Sequence, residues 1–261
     1  MKVVVIGAGN VATHLSLSIQ KTSASIIQIY SRSEESACTL ANRLETQWTI
    51  QSHKITPKAD LYLFAVKDDA LPDLISQIPE NQGLWVHTAG SVPMDIFKGY
   101  ALHYGVLYPL QTFSTGREVD LRTVPLFVEA CTPDDEQLLV AFASKLSDNI
   151  QTLPSEKRKH VHLAAVFACN FSNHLYALAY KLLEEQNIPP DVLRPLIHET
   201  ASKIMTLSPL QAQTGPAVRY DLNVINRQIE LLTDPAMKEL YQLFSQNIYK
   251  EANRILPSVN P

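Results

Sequence analysis

Gly7-Ala8-Gly9-Asn10-Val11-Ala12 follows directly on the β-branched run Val3-Val4-Val5-Ile6, and a helical pattern comes after it. A Gly-x-Gly-x-x-Ala turn between strand and helix is a dinucleotide fingerprint. Gly7 permits the tight turn, Gly9 lets backbone approach a pyrophosphate, and the small Ala12 lets helix and strand pack closely. Phosphates would sit on N–H groups at the helix start, with Ala8, Asn10 and Val11 around them, where the helix dipole favours an anion. The alternatives are an ordinary tight strand–helix turn or a site for another adenine-containing cofactor.

The next chemically telling position lies about 20 residues beyond the glycines, where NAD sites carry an acid for the ribose hydroxyls. Here it reads Tyr30-Ser31-Arg32-Ser33, with no acid. An arginine flanked by hydroxyls suits a 2′-phosphate, and no carboxylate is present to repel it. The expected cofactor is therefore NADP rather than NAD. The missing acid also weighs against an S-adenosylmethionine site. The competing reading makes Arg32 a solvated surface residue and Ser31 or Ser33 a helix cap.

A polar stripe is the third feature. His162, Asn170, Asn173 and His174 interrupt a segment that is otherwise apolar nearly all round, through Val161, Leu163, Val166, Phe167, Phe171, Leu175, Leu178 and Leu182. On a 3.6-residue helix these polar residues fall on one side, with Val166 among them. An imidazole can deliver a proton and an amide can orient a reacting group, as carbonyl or imine reduction requires. A satisfied core network or a subunit-interface hydrogen-bond set is the alternative. Such an apolar helix is expected to be buried in a core or an interface. Arg219, in Thr214-Gly215-Pro216-Ala217-Val218-Arg219-Tyr220-Asp221, is either an anion ligand or a salt-bridged hinge with Asp221.

These groups need a scaffold. Strand patterns at Lys2–Ile6, Ile26–Ser31, Asp60–Val66, Leu84–Thr88, Gly105–Tyr108, Pro125–Ala130 and Ile150–Leu153 alternate with helical ones at Val11–Lys21, Glu34–Leu44, Leu71–Ile78 and Asp135–Ser147. That alternation predicts an α/β Rossmann fold, a doubly wound parallel sheet, over residues 1–153. Ligands of such sheets bind outside the carboxyl ends of the strands. Val66 and Lys67, then Thr88, Ala89 and Gly90, are expected to line the nucleotide, the small Ala89 and Gly90 letting ribose lie against backbone. Pro109 and Gln111 are expected at the substrate end. Asp68 and Asp69 read as helix caps. From residue 154 to 261 the pattern is all-helical, over Ser155–Gln186, Val192–Leu207, Asn223–Leu232 and Met237–Ile255, with Asp234-Pro235 a good helix start.

The 261 residues suffice for one large domain or two modest ones, and the net charge of −4 argues against a nucleic-acid surface. No stretch reads as a signal peptide or a membrane span. Cys38, Cys131 and Cys169 lack metal-ligand spacing and suggest a reducing, cytoplasmic setting with no metal.

With these motifs and Ala65-Val66-Lys67-Asp68-Asp69, the chain resembles pyrroline-5-carboxylate reductase, the deazaflavin-dependent NADP reductases and the 6-phosphogluconate dehydrogenase group. Tyr108-Pro109-Leu110-Gln111-Thr112-Phe113, His162-Leu163-Ala164-Ala165-Val166-Phe167-Ala168-Cys169-Asn170 and Thr214-Gly215-Pro216 are more closely similar to a bacterial family. That family joins a Rossmann-like N-terminal domain to a C-terminal domain of unknown function. The resemblance covers essentially the whole chain. It implies NADP(H) binding, a C-terminal domain like that of 6-phosphogluconate dehydrogenase used to form a homodimer, and a small-molecule site between the domains. Hydroxyacid dehydrogenases of the group carry Lys and Asn one helical turn apart. Asn170 matches the Asn, but Val166 stands where Lys should. Their mechanism does not transfer, and His162, one more turn back, is the substitute proton donor.

The sequence thus predicts an NADP-dependent oxidoreductase acting on a small carbonyl, imine or alcohol. Asn170 and His162 are the catalytic candidates; Asn173, His174 and Arg219 join Pro109 and Gln111 toward substrate. The rival is a non-catalytic NADP(H)-binding sensor or scaffold with a helical partner interface.

Overall fold

The computed structural model describes residues 1–114 and 116–255, so residues 256–261, the end of the expected helical domain, lie outside the described residues. Contacts divide the chain into two units, Met1–Leu175 and a second from Tyr176 onward.

The first unit is built on a sheet of β1 (Lys2–Ile6), β2 (Ser25–Tyr30), β3 (Gln47–Thr49), β4 (Leu61–Phe64), β5 (Leu84–His87), β6 (Tyr104–Pro109), β7 (Leu126–Ala130) and β8 (Ile150–Thr152). Their order is β3-β2-β1-β4-β5-β6-β7-β8. All pairings are parallel except β6 with β7. The expected Rossmann sheet is therefore present, with two features the sequence reading lacked. β3 is a short edge strand, and β7 runs against its neighbour. The chain reverses its winding at β1, between β2 and β4, which opens a crevice at their carboxyl ends.

Alternation along β1 explains the layers. Val3 and Val5 pack with α1 (Asn10–Gln20) and α2 (Glu34–Leu44), whereas Val4 and Ile6 face Tyr62, Phe64, Trp85 and Phe97 on the other side. Both faces are covered, so the central strands read as continuous apolar runs. α2 is started by Ser33, whose side chain accepts from the Ser36 N–H, and α4 (Pro133–Ala143) by Thr132, which accepts from Asp135.

α3 (Leu71–Ile75) comes after β4, and α5 (Ser155–Ala165) leads into a π-helical segment, Val166–Phe171, and then α6 (Ser172–Glu184). The apolar residues of this long helix are not buried within the chain. Leu163, Phe167 and Phe171 are 55%, 62% and 48% exposed, which overturns the core reading of the stretch.

Among the described residues past Leu175 the only regular elements are helices: the end of α6, α7 (Arg194–Lys203), α8 (Pro209–Ala212), α9 (Pro216–Arg219), α10 (Leu222–Leu231) and α11 (Pro235–Ile255). Asp221 caps α10 by accepting from Val224, and Asp234 accepts from Ala236 at the start of α11. No helix among the described residues is long and apolar enough to cross a membrane.

Candidate functional site

A cleft of about 730 Å³ opens at the carboxyl ends of β1, β2, β4 and β5. Gly7, Ala8, Gly9, Asn10, Val11, Ser31, Arg32, Ser33, Val66, Lys67, Thr88 and Gln111 all line it, together with Tyr30, Ala65, Ala70, Asp73, Leu74, Gln77 and Phe113. Five stretches distant in sequence, the last of them the loop after β6, thus meet on one surface.

The two glycines do different work. Gly7 has φ +124°, and a Cβ there would lie 2.2 Å from the Ala65 carbonyl oxygen. Its N–H donates to the Tyr30 carbonyl at 2.7 Å, which ties the turn to β2. Both conformation and packing therefore demand glycine. At Gly9 an added Cβ would meet no atom within 4 Å, so protein packing does not require glycine there. A pyrophosphate lying against this backbone would. Gly9 starts α1 with no side-chain cap, which suits an anion as the capping group. The residues present therefore fit a dinucleotide.

At the end of β2, the Ser31 side chain accepts from the Ser33 N–H and Ser33 from the Ser36 N–H. A hydroxyl oxygen that accepts a hydrogen bond keeps its own proton to donate, so both serines remain able to serve a phosphate beside the exposed Arg32. On the opposite side, Asn10 Nδ2 donates to the Phe113 carbonyl at 3.1 Å, and the His14 ring stacks on Phe113 at 4.9 Å. The loop after β6 is thereby anchored to α1. Asp68, expected as a helix cap, instead accepts from Ser91 and joins the loops after β4 and β5.

Ala89, Gly90 and Pro109 do not line the cleft. Ala89 is buried, and Pro109 is the last residue of β6, paired with Leu126. A Cβ on Gly90 would sit 2.6 Å from Cγ and Nδ1 of His162. The small residue makes room for an imidazole. His162 Nδ1 lies 2.9 Å from the Tyr108 hydroxyl, with the rings edge-on at 5.8 Å. His162 therefore stands at the carboxyl ends of β5 and β6.

A buried ionic network holds this helix to the sheet. The Arg158 side chain is fully buried and donates to Glu129 on β7 at 2.6 Å, to the Val92 carbonyl and to Ser155 Oγ. Glu129 also accepts from the Ser155 N–H and hydroxyl, at 2.9 and 2.6 Å, so a carboxylate from the sheet caps the start of α5. His87, at the end of β5, is fully buried nearby. Its pKa is pushed down to about 3 by burial and by the Arg158 charge. At neutral pH His87 is uncharged, its Nδ1 accepting from the Ala89 N–H. Sequence reasoning missed this network. Arg158 sits in Glu156-Lys157-Arg158-Lys159, which reads as a solvated charge run.

The polar residues expected on one helix are carried by three successive segments, His162 on α5, Asn170 in the π-segment, and Asn173 and His174 on α6. The stretch is not one unbroken α-helix, because the π-helical turns of Val166–Phe171 separate α5 from α6. Asn170 lies within that segment; Asn170, Asn173 and His174 are exposed, and their side chains make no hydrogen bond among the described residues. Arg219, exposed at the end of α9, forms no ion pair with Asp221 among the described residues. Among the described residues, no cluster of three or more His, Cys, Asp or Glu could hold a metal ion.

Comparison with known proteins gives a consistent picture. Residues 2–86 match the family model described as NADP oxidoreductase coenzyme F420-dependent, and residues 124–248 match a domain of unknown function, DUF2520. The crystal structure of a "putative NADP oxidoreductase" from Bacteroides fragilis is similar with 48% sequence identity and a TM-score of 0.90, over 95% of this chain and 98% of that one. An imine reductase from Myxococcus stipitatus, in complex with NADP+, shares the fold at 12% identity and a TM-score of 0.64, covering 97% and 93% of the two chains. The 1-pyrroline-5-carboxylate reductase of Streptococcus pyogenes does so at 12% identity and 0.63, covering 98% and 99%. No curated protein matches the chain.

Proposed function

The chain belongs to the same family as the Bacteroides fragilis protein, and from that membership we propose that it is an NADP(H)-dependent oxidoreductase reducing a small carbonyl or imine, or oxidising the corresponding alcohol or amine. One observation carries the cofactor half of the proposal. Ser31, Arg32 and Ser33 line the same cleft as the glycine turn, where an NAD site would place a carboxylate. In this reading residues 1–153 form the nucleotide-binding domain and residues 154–261 the helical domain.

Bound there, the nicotinamide supplies the hydride. The chain does the rest. Gly7, Gly9 and the start of α1 hold the pyrophosphate. Arg32 and Ser31 hold the 2′-phosphate, and Val66, Lys67 and Thr88 wall the nucleotide. His162 holds a proton beside β5 and β6. Asn170, in a π-segment of the kind often found at functional sites, orients the reacting group. Gln111, Asn173, His174 and Arg219 are assigned to substrate. The test is NADPH consumption with a panel of cyclic imines, 2-oxo acids and aldehydes. Saturable turnover supports the reading. Tight NADPH binding with no turnover by any member supports the rival, a non-catalytic NADP(H) sensor, which Val166 in place of a catalytic lysine favours.

The exposed Leu163, Phe167 and Phe171 add a proposal about assembly. Large apolar side chains concentrated along one helix mark an interaction surface, and the partner proposed is a second copy of the chain. Light scattering at micromolar concentration should give twice the 29.2 kDa chain mass; a monomer mass contradicts it. All three cysteines are free, which fits a reducing, cytoplasmic location that cell fractionation would check.

A further inference from the structure

Gly90 and Tyr108 line no part of the nucleotide cleft, yet both bear on one side chain. Gly90 has no left-handed φ, so its backbone is open to other residues. What forbids a side chain there is the His162 ring, whose Cγ and Nδ1 would lie 2.6 Å from an added Cβ. Across the ring, the Tyr108 hydroxyl stands 2.9 Å from Nδ1. Tyr108 is only 7% exposed, and its hydroxyl has no other hydrogen-bond partner among the described residues.

A phenol both donates and accepts. It donates to Nδ1 when that nitrogen is bare and accepts from it when it carries a proton. Nδ1 is thus engaged in either state, whereas Nε2 makes no hydrogen bond among the described residues. Burial pushes the Tyr108 pKa above its ordinary value, against the Arg158 charge, so the phenol keeps its proton at neutral pH. The other titratable groups around this pair are Arg158, neutralised by Glu129, the uncharged His87, and Cys169 of the π-segment.

We propose that Gly90 and Tyr108 are positioning residues that seat His162 and confine its proton exchange to Nε2, the nitrogen that serves the substrate. The inference rests on the reductase reading above. In the step it implies, the imidazolium gives its Nε2 proton to the carbonyl oxygen or imine nitrogen while the substrate carbon receives hydride from the nicotinamide. The ring is left neutral, with its remaining proton on Nδ1 toward Tyr108, and water reprotonates Nε2.

The experiment is a mutant cycle using NADPH and 2-methyl-1-pyrroline as probe. Gly90→Ala and Tyr108→Phe should each lower kcat at least tenfold and leave NADPH Kd within twofold. Gly90→Ala should cost nothing further in a His162→Ala background, where no ring is left to displace. An equal factor lost in both backgrounds, or weakened NADPH binding, would overturn the seat. The same cycle read by thermal unfolding decides independently of turnover: Gly90→Ala should lower Tm in the otherwise unaltered protein but not with His162→Ala, and equal shifts count against the seat. Failure of the unaltered protein to bind NADPH would instead sink the parent reading, leaving the thermal cycle to judge the seat alone.

Discussion

Replacing Glu129 with Leu is expected to lower the unfolding free energy by about 3–5 kcal/mol, the usual cost of stranding one member of a buried ion pair. The Arg158 side chain is fully buried, and its charged partner is the Glu129 carboxylate 2.6 Å away. Removing that carboxylate leaves the guanidinium uncompensated and also removes the acceptor for the Ser155 N–H and hydroxyl at the start of α5. Because a buried pair is weak evidence of net stability, Glu129→Leu combined with Arg158→Met should recover most of the loss. Denaturant titration checks both variants. A single-mutant loss below about 1 kcal/mol would contradict the network, since ordinary surface substitutions fall within roughly half that.

The second large effect is kinetic. His162→Gln and Asn170→Ala should each depress hydride transfer by about a hundredfold, roughly 3 kcal/mol in transition-state stabilisation, while NADPH affinity stays within a few-fold. In the proposed reading the nucleotide occupies the cleft at the carboxyl ends of the strands, whose lining includes neither residue. Asn170 is exposed and its side chain makes no hydrogen bond among the described residues, so its loss should leave Tm unchanged. Pre-steady-state measurement of NADPH oxidation separates the possibilities. Lowered Tm with intact activity per folded molecule would make the two residues structural.

That the glycine turn and the Ser31–Ser33 loop line one cleft was legible in the sequence, because each part carries a local signal. A glycine turn needs its φ, a helix start needs its cap, and a missing acid is a single-residue fact. Gly7, Ser33 and the apolar run of β4 behave as their residue types dictate. Failures lie where the cause is distant in sequence. Glu129 and Arg158 meet across 29 residues, and no local pattern pairs them. β7 looks like any buried strand, and its antiparallel direction is a property of the connection. The π-segment Val166–Phe171 has no residue that marks it, so a uniform 3.6-residue period was the natural assumption across the whole stretch. Gly90 was expected to let ribose lie against backbone, and within the fold the His162 ring lies against it, a contact 72 residues away that no local pattern signals.

Calorimetric titration with NADPH and NADH tests the central claim most directly. Only NADPH offers Arg32 a phosphate for a charge-assisted contact. NADPH should bind at least tenfold more tightly, about 1.4 kcal/mol, and Arg32→Ala should remove most of the difference. Equal affinities for the two nucleotides, or a preference that survives Arg32→Ala, would contradict the claim.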